Sequence, residues 1–376
     1  MRTLRSLTGI VVLGLLASGC ASTYSYREPT YSLQVERWTV LRNLSLDPAL
    51  VTKLLALNPE RIDETEVLEI LSRGPAPRIL AIHGGILPVH LIMESFVEFL
   101  IAMGYPEGKI RDPNGKITYS PYENATKLAG LIAWYYEKEG MTPILIGHSQ
   151  GAMQVIKVLH ALAGAFGEQV PVWNPLTGSE EGRTVIVDPL TGDRRPVVGL
   201  RVGYASGVGA GGLARLLPNQ WNMVGRLTKI PDTVKEFTAF SLGLDLFAGD
   251  FPVFGAATKY LSDGEARVRN VRLPATYNHV TVPSTAHLAK DRMMRDWINA
   301  YVPTERPELT AVFDNPSQNI LWAADVWHSI KKRWCLEVQA LIRAKRTMLD
   351  ESRLHSQHFE HTVTPGLTAK SEVTPG

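Results

Sequence analysis

Serine, histidine and carboxylate side chains are the material from which proteins assemble an activated nucleophile, its base and the base's support. One serine of this 376-residue chain is set in a context that suits such chemistry. Ser149 lies in Gly147-His148-Ser149-Gln150-Gly151, after the apolar run Ile144-Leu145-Ile146 and before the helix-compatible stretch Ala152 to Ala163. A serine hydroxyl becomes a useful nucleophile only when a neighbouring base takes its proton, so the ten histidines are the next residues to weigh. Two of them follow or flank strand-like runs. Ile79-Leu80-Ala81-Ile82 leads into His83-Gly84-Gly85-Ile86, and Val280-Thr281-Val282-Pro283-Ser284-Thr285-Ala286 leads into His287, ahead of a helical stretch from Lys290 to Tyr301.

The strand, G-x-S-x-G and helix succession resembles the nucleophile elbow of the α/β-hydrolases, in their lipase and esterase branch. In such a turn, side chains at Gly147 and Gly151 would meet neighbouring backbone, and Ser149 would be held out on a strained backbone. The His83-Gly84-Gly85 segment is similar to the loop that completes the oxyanion hole in that branch. The resemblance therefore implies Gly85, alternatively Ile86, and Gln150 as the amide donors, with His83 bracing the loop. Two fixed amides suit a developing tetrahedral oxyanion because they need no reorganisation when the charge appears.

The family's chain order of serine, acid, histidine implies His287 as the base, delivered by the loop after the last strand. His279 is the competitor, and it falls before the apolar core of the run expected to form that strand. For the acid, Gly249-Asp250-Phe251-Pro252 after the apolar run Glu236 to Ala248 resembles the turn where the family places it, so Asp250 is the first choice. Asp245, after Gly243-Leu244, is its rival, since strand ends read from sequence carry errors of a few residues. The resemblance spans about residues 78–302. A serine where haloalkane dehalogenases and epoxide hydrolases of this fold carry aspartate argues against those two chemistries.

Around these residues the alternation of short apolar runs with Gly-rich turns and helix-period stretches predicts an α/β fold: the α/β-hydrolase arrangement, a mostly parallel central sheet with helices on both faces. A near-repeat, Asn174-Pro175-Leu176-Thr177-Gly178 and Asp188-Pro189-Leu190-Thr191-Gly192, reads as turns of a hairpin inserted at about residues 168–200. The expected organisation is a leader at 1–19, a spacer and cap at 20–77, the hydrolase domain at 78–305, and a C-terminal helical extension with a frayed tail at 306–376. His160 and the buried-type Cys335 read as packing residues. His355, His358 and His361 recur every third residue, but no carboxylate or cysteine accompanies them at ligand spacing, so no metal site is expected.

The first residues look like an export signal: Arg2 and Arg5, then Ile10 to Leu16, then Ala17-Ser18-Gly19. Leu16-Ala17-Ser18-Gly19-Cys20 resembles the lipobox of bacterial lipoproteins, which implies cleavage before Cys20, a lipid such as palmitate on that cysteine, and membrane attachment. Ala21 and Ser22 lack the aspartate that retains such proteins at the inner membrane, which implies the outer membrane. Removing Arg2 and Arg5 from the 39 basic residues leaves 37 against 37 acidic ones, a balance with no bias toward nucleic acid.

The expected activity is hydrolysis of carboxylic esters, hydrophobic or lipid-like, through an acyl-enzyme and with no cofactor. Apolar segments at Leu213 to Val224 and Phe247 to Phe254 suit such a substrate. Thioesterase, amidase or acyltransferase chemistry on the same residues is the nearest alternative. A non-catalytic envelope lipoprotein using a hydrolase-like domain for binding is the alternative of a different class.

Overall fold

The computed structural model describes residues 38–85, 87–210, 218–242, 259–308 and 319–362; the side chains of 87–90, 219 and 354–362 are not among the described ones. The leader and Cys20 therefore lie outside the described residues, as do Ile86, Asp245, Asp250 and most of the two apolar segments.

Five short runs form one sheet: β1 (Ile79–Ile82), β2 (Ile144–His148), β3 (Val202–Val208), β4 (Val234–Ser241) and β5 (Arg267–Arg272). They lie side by side in that order and every pairing is parallel. Side chains alternate across a strand. Ile79 and Ala81 of β1 thus enter one core and Leu80 and Ile82 the other, and Ile144 and Ile146 are separated from Leu145 in the same way. A sheet buried on both faces needs helices on both, and these are α5 (Ala125–Glu139) and α6 (Gln150–Leu162) on one side, α4 (Leu87–Ala102) and the C-terminal helix on the other. This is the α/β class expected from the sequence.

Chain direction decides where a site can form. After β1 and α4 the chain returns at Tyr119, whose amide bonds the Ala81 carbonyl and whose carbonyl accepts from the His83 amide, so this segment flanks β1. The chain then passes through α5 and comes back on the opposite side of β1 as β2. Successive connections that leave a strand in opposite directions open a crevice at its carboxyl end, where ligands bind in open α/β sheets. The loop His83–Gly85 and Ser149 both stand at that end.

The predicted insertion is two consecutive small hairpins, pairing 173–174 with 179–180 and 185–187 with 194–196. Their near-repeated turns are built alike. Asn174 Oδ1 accepts from the Leu176 amide and Asp188 Oδ1 from the Leu190 amide, and each turn closes with a glycine at positive φ, 66° at Gly178 and 75° at Gly192.

The C-terminal segment departs from the expectation of an appended extension. Helix α8 runs from Ile320 to Thr362, and the described residues from Trp38 onward form one compact unit. Trp322, Trp327 and Trp334 of α8 are fully buried in the core beneath the sheet. Trp334 Nε1 donates to the Pro75 carbonyl at 2.9 Å and its ring meets Tyr105 edge-on at 4.8 Å. Arg269 of β5 grips the fully buried Asp325 through both guanidinium nitrogens, one of them at 2.7 Å. The helices of the expected spacer, α2 (Pro48–Ala56) and α3 (Glu64–Glu69), dock here too. Lys331 donates to the Ile62 carbonyl and Gln339 to the carbonyls of Leu54 and Leu57. Cys335 is buried in the same layer, and burial pushes its thiol up to about 12, the behaviour of a packing residue.

Because α8 is a layer of the core, Trp334→Ala should lower the stability of the whole domain by about 3–5 kcal/mol in chemical denaturation. An unchanged main transition with a separate, weaker one for the helix would show α8 to be detachable after all.

Candidate active site

Glycine at 147 and 151 is required by backbone contact. A Cβ on Gly147 would lie 2.5 Å from the Gly151 carbonyl oxygen and 2.6 Å from the Ala152 Cα, and one on Gly151 would lie 2.2 Å from the Ile82 oxygen and 2.5 Å from the His83 oxygen. Those gaps let α6 start directly against the carboxyl ends of β1 and β2. Between the glycines, Ser149 takes φ 55° and ψ −121°, a conformation that costs a non-glycine residue about 1–3 kcal/mol and persists only when the surroundings impose it. They do so here: the Ser149 amide donates to the Val208 carbonyl at 2.8 Å, and its own carbonyl accepts from the Ala152 amide at 3.0 Å as the first bond of α6.

The histidine at Ser149 is His279, whose Nε2 stands 2.8 Å from the Ser149 Oγ. This corrects the expectation of His287, which is exposed on a short 3₁₀ turn, Ala286–Ala289. Partial burial and the nearby Lys290 hold the His287 imidazole below its ordinary pKa. The physical reason lies one strand earlier. Val280-Thr281-Val282, taken for the last strand, forms turns instead, with the Val282 amide on the Asn278 carbonyl and the Ser284 amide on the Thr281 carbonyl. The last strand is β5, an edge strand with three arginines, of the charged kind that edges favour. The loop after it delivers His279 seven residues beyond Arg272. The histidine that meets Ser149 thus comes from the loop after β5 and precedes the run Val280 to Val282.

That loop is braced on several sides. Asn319, at φ 93° immediately before α8, donates its side-chain amide to the carbonyls of Thr281 and Ser284 at 3.0 and 3.1 Å. The Ser95 hydroxyl on α4 accepts from the amides of Thr285 and Ala286 at 3.1 and 3.0 Å. The Leu321 amide donates to the Tyr277 hydroxyl at 3.0 Å. His148 Nε2 lies 2.7 Å from the His279 carbonyl oxygen.

The structure also brings Gly85 and Gln150 together: a Cβ on Gly85 would sit 1.9 Å from Gln150 Oε1. Gln150 opens α6, so its amide has no carbonyl to bond within the helix and lies at the positive end of the helix dipole. His83 Nδ1 is 2.7 Å from the Gly84 carbonyl, and Tyr122, largely exposed, reaches the Gly85 carbonyl with its hydroxyl at 3.3 Å. His160 is a buried packing residue whose Nε2 meets the Lys229 carbonyl at 2.9 Å. The candidate acids Asp250 and Asp245 and the alternative donor Ile86 lie outside the described residues, as do the side chains of His355, His358 and His361.

Gly151→Ala forces its methyl into two main-chain carbonyls that belong to different elements, so either α6 or the His83 loop must shift. A loss of about 1–3 kcal/mol is expected in thermal or chemical unfolding. Wild-type stability in that variant would mean that the close approach of helix and strand ends is not as described.

No family model matches the chain, and no curated protein matches it. Among solved structures, the esterase domain of a Rhodothermus marinus protein aligns with 61% of this chain and 88% of its own length, at 14% identity and a TM-score of 0.30, a likeness too slight to assign a function by.

Proposed function

We propose that the chain is a serine hydrolase that cleaves carboxylic esters by way of an acyl-enzyme. The observation that supports this most is a serine on a strained strand-to-helix turn with an imidazole nitrogen 2.8 Å from its hydroxyl oxygen. Such strain at a polar residue is a recurrent mark of catalytic sites.

In this proposal Ser149 Oγ attacks the ester carbonyl carbon while its proton passes to His279 Nε2, which must be unprotonated at that moment. The carbonyl oxygen becomes an oxyanion facing the amides of Gln150 and Gly85. His279 returns the proton to the leaving alkoxide, the alcohol departs, and Ser149 keeps the acyl group. Water, deprotonated by the same nitrogen, then releases the carboxylic acid and restores the serine. Asp250 is the proposed support for the second ring nitrogen of His279, with Asp245 as its rival. A hydrophobic acyl group is favoured by the exposed Tyr122 ring beside Gly85.

A fluorophosphonate probe should label the wild-type protein and not Ser149→Ala. His279→Ala should cut p-nitrophenyl ester hydrolysis by at least about 10³-fold, as loss of a triad base does, while His287→Ala leaves it near wild type. Asp250→Asn and Asp245→Asn should differ sharply from one another. Labelling that survives Ser149→Ala, or a His279→Ala variant as active as wild type, would overturn the assignment. A panel of esters of graded chain length beside the matching thioesters reads out the substrate class.

The lipobox-like Leu16 to Cys20 supports a further part of the proposal, a lipid-anchored protein of a bacterial envelope. The full chain expressed in a bacterium should incorporate a palmitate analogue and partition into detergent. Cys20→Ser should do neither, and equal incorporation in that variant would refute the anchor.

A further inference from the structure

We infer that His148, the residue between Gly147 and the nucleophile, is a positioning residue that sets where His279 stands; this rests on the serine hydrolase proposed above. His148 ends β2, is fully buried and so cannot touch substrate. Its Nε2 lies 2.7 Å from the main-chain oxygen of His279. A carbonyl oxygen can only accept, so this nitrogen carries a hydrogen and donates it. The two imidazole rings lie side by side, with centroids 5.3 Å apart and planes inclined at 44°.

Several bonds brace the residues on either side of the base. The Leu321 amide holds Tyr277, Asn319 holds Thr281 and Ser284, and Ser95 holds Thr285 and Ala286. His148 grips residue 279 itself. Because His148 is bonded covalently to Ser149, nucleophile and base are referenced to a single peptide unit. Between the main chains of Ser149 and His279 the path consists of one peptide bond, the His148 side chain and one hydrogen bond, although the two residues are 130 positions apart. A misplacement of the base by about 1 Å can cost on the order of 10²-fold in rate.

His148→Phe keeps a ring in place and removes the donor; His148→Gln keeps an amide hydrogen near the position of Nε2. Both are compared with wild type for thermal unfolding, for the rate of fluorophosphonate labelling, and for kcat and KM on a p-nitrophenyl ester. The expected result is a folded Phe variant with kcat and labelling rate lowered by roughly tenfold, the effect of one positional hydrogen bond, and with KM little changed. The Gln variant recovers most of the loss. Independently of activity, ¹⁵N NMR of the wild-type ring should show the Nε2–H tautomer with a slowly exchanging proton.

Wild-type kcat in the Phe variant, a Gln variant as slow as the Phe variant, or an Nδ1–H tautomer in the wild type would each overturn the inference while leaving the hydrolase intact. A wild-type protein that takes up no probe would sink the hydrolase and, with it, this role.

Discussion

The architecture turns on one close approach, the first turn of α6 set directly against the main chain at the carboxyl ends of β1 and β2. Peptide groups there are separated by gaps that a single methyl would overfill. This contact forces Ser149 into a conformation that an isolated chain would avoid, and the energy to hold it comes from the packing of a sheet buried on both faces. The same contact puts Gln150, the first residue of α6, beside Gly85. In the proposed mechanism, nucleophile and oxyanion donors are thus consequences of one piece of backbone geometry, while the base must be supplied from elsewhere.

Supplying it falls to the second layer. The loop bearing His279 is tied to α4 through Ser95 and to the beginning of α8 through Asn319 and Leu321. Helix α8 is itself held by three buried tryptophans and by the Arg269–Asp325 pair with the edge strand. Removing one partner of such a buried pair leaves an uncompensated charge, so the pair constrains α8 and β5 together. A helix that looks peripheral in chain order therefore stands between the core and the base. Two of its polar side chains face inward with its apolar ones: Lys331 and Gln339 meet main-chain oxygens of the N-terminal segment that packs against it.

What was legible in the sequence was local. Ile144 to Gly151 holds strand, tight turn and helix within eight residues, so the steric need for glycine and the strained backbone of Ser149 follow from the motif and its resemblance, and the structure has them. The same is true of β1 with its His83-Gly84-Gly85 exit and of the twin turns at Asn174 and Asp188, where side-chain caps and glycine at positive φ act within five residues. The last strand was not legible. An edge strand rich in arginine carries little apolar signal, whereas the β-branched run at Val280 imitates a strand but ends at Pro283 and turns.

By itself, then, the sequence determined that a serine would stand at the end of a strand in an α/β sheet, because strand period, glycine sterics and helix start act between neighbours in the chain. Which histidine would meet that serine was decided only by the tertiary structure. The two residues lie 130 positions apart, and their separation depends on the register of an edge strand and on the bonds that tie its exit loop to α4, α8 and His148. Those bonds join groups that no spacing in the sequence brings together.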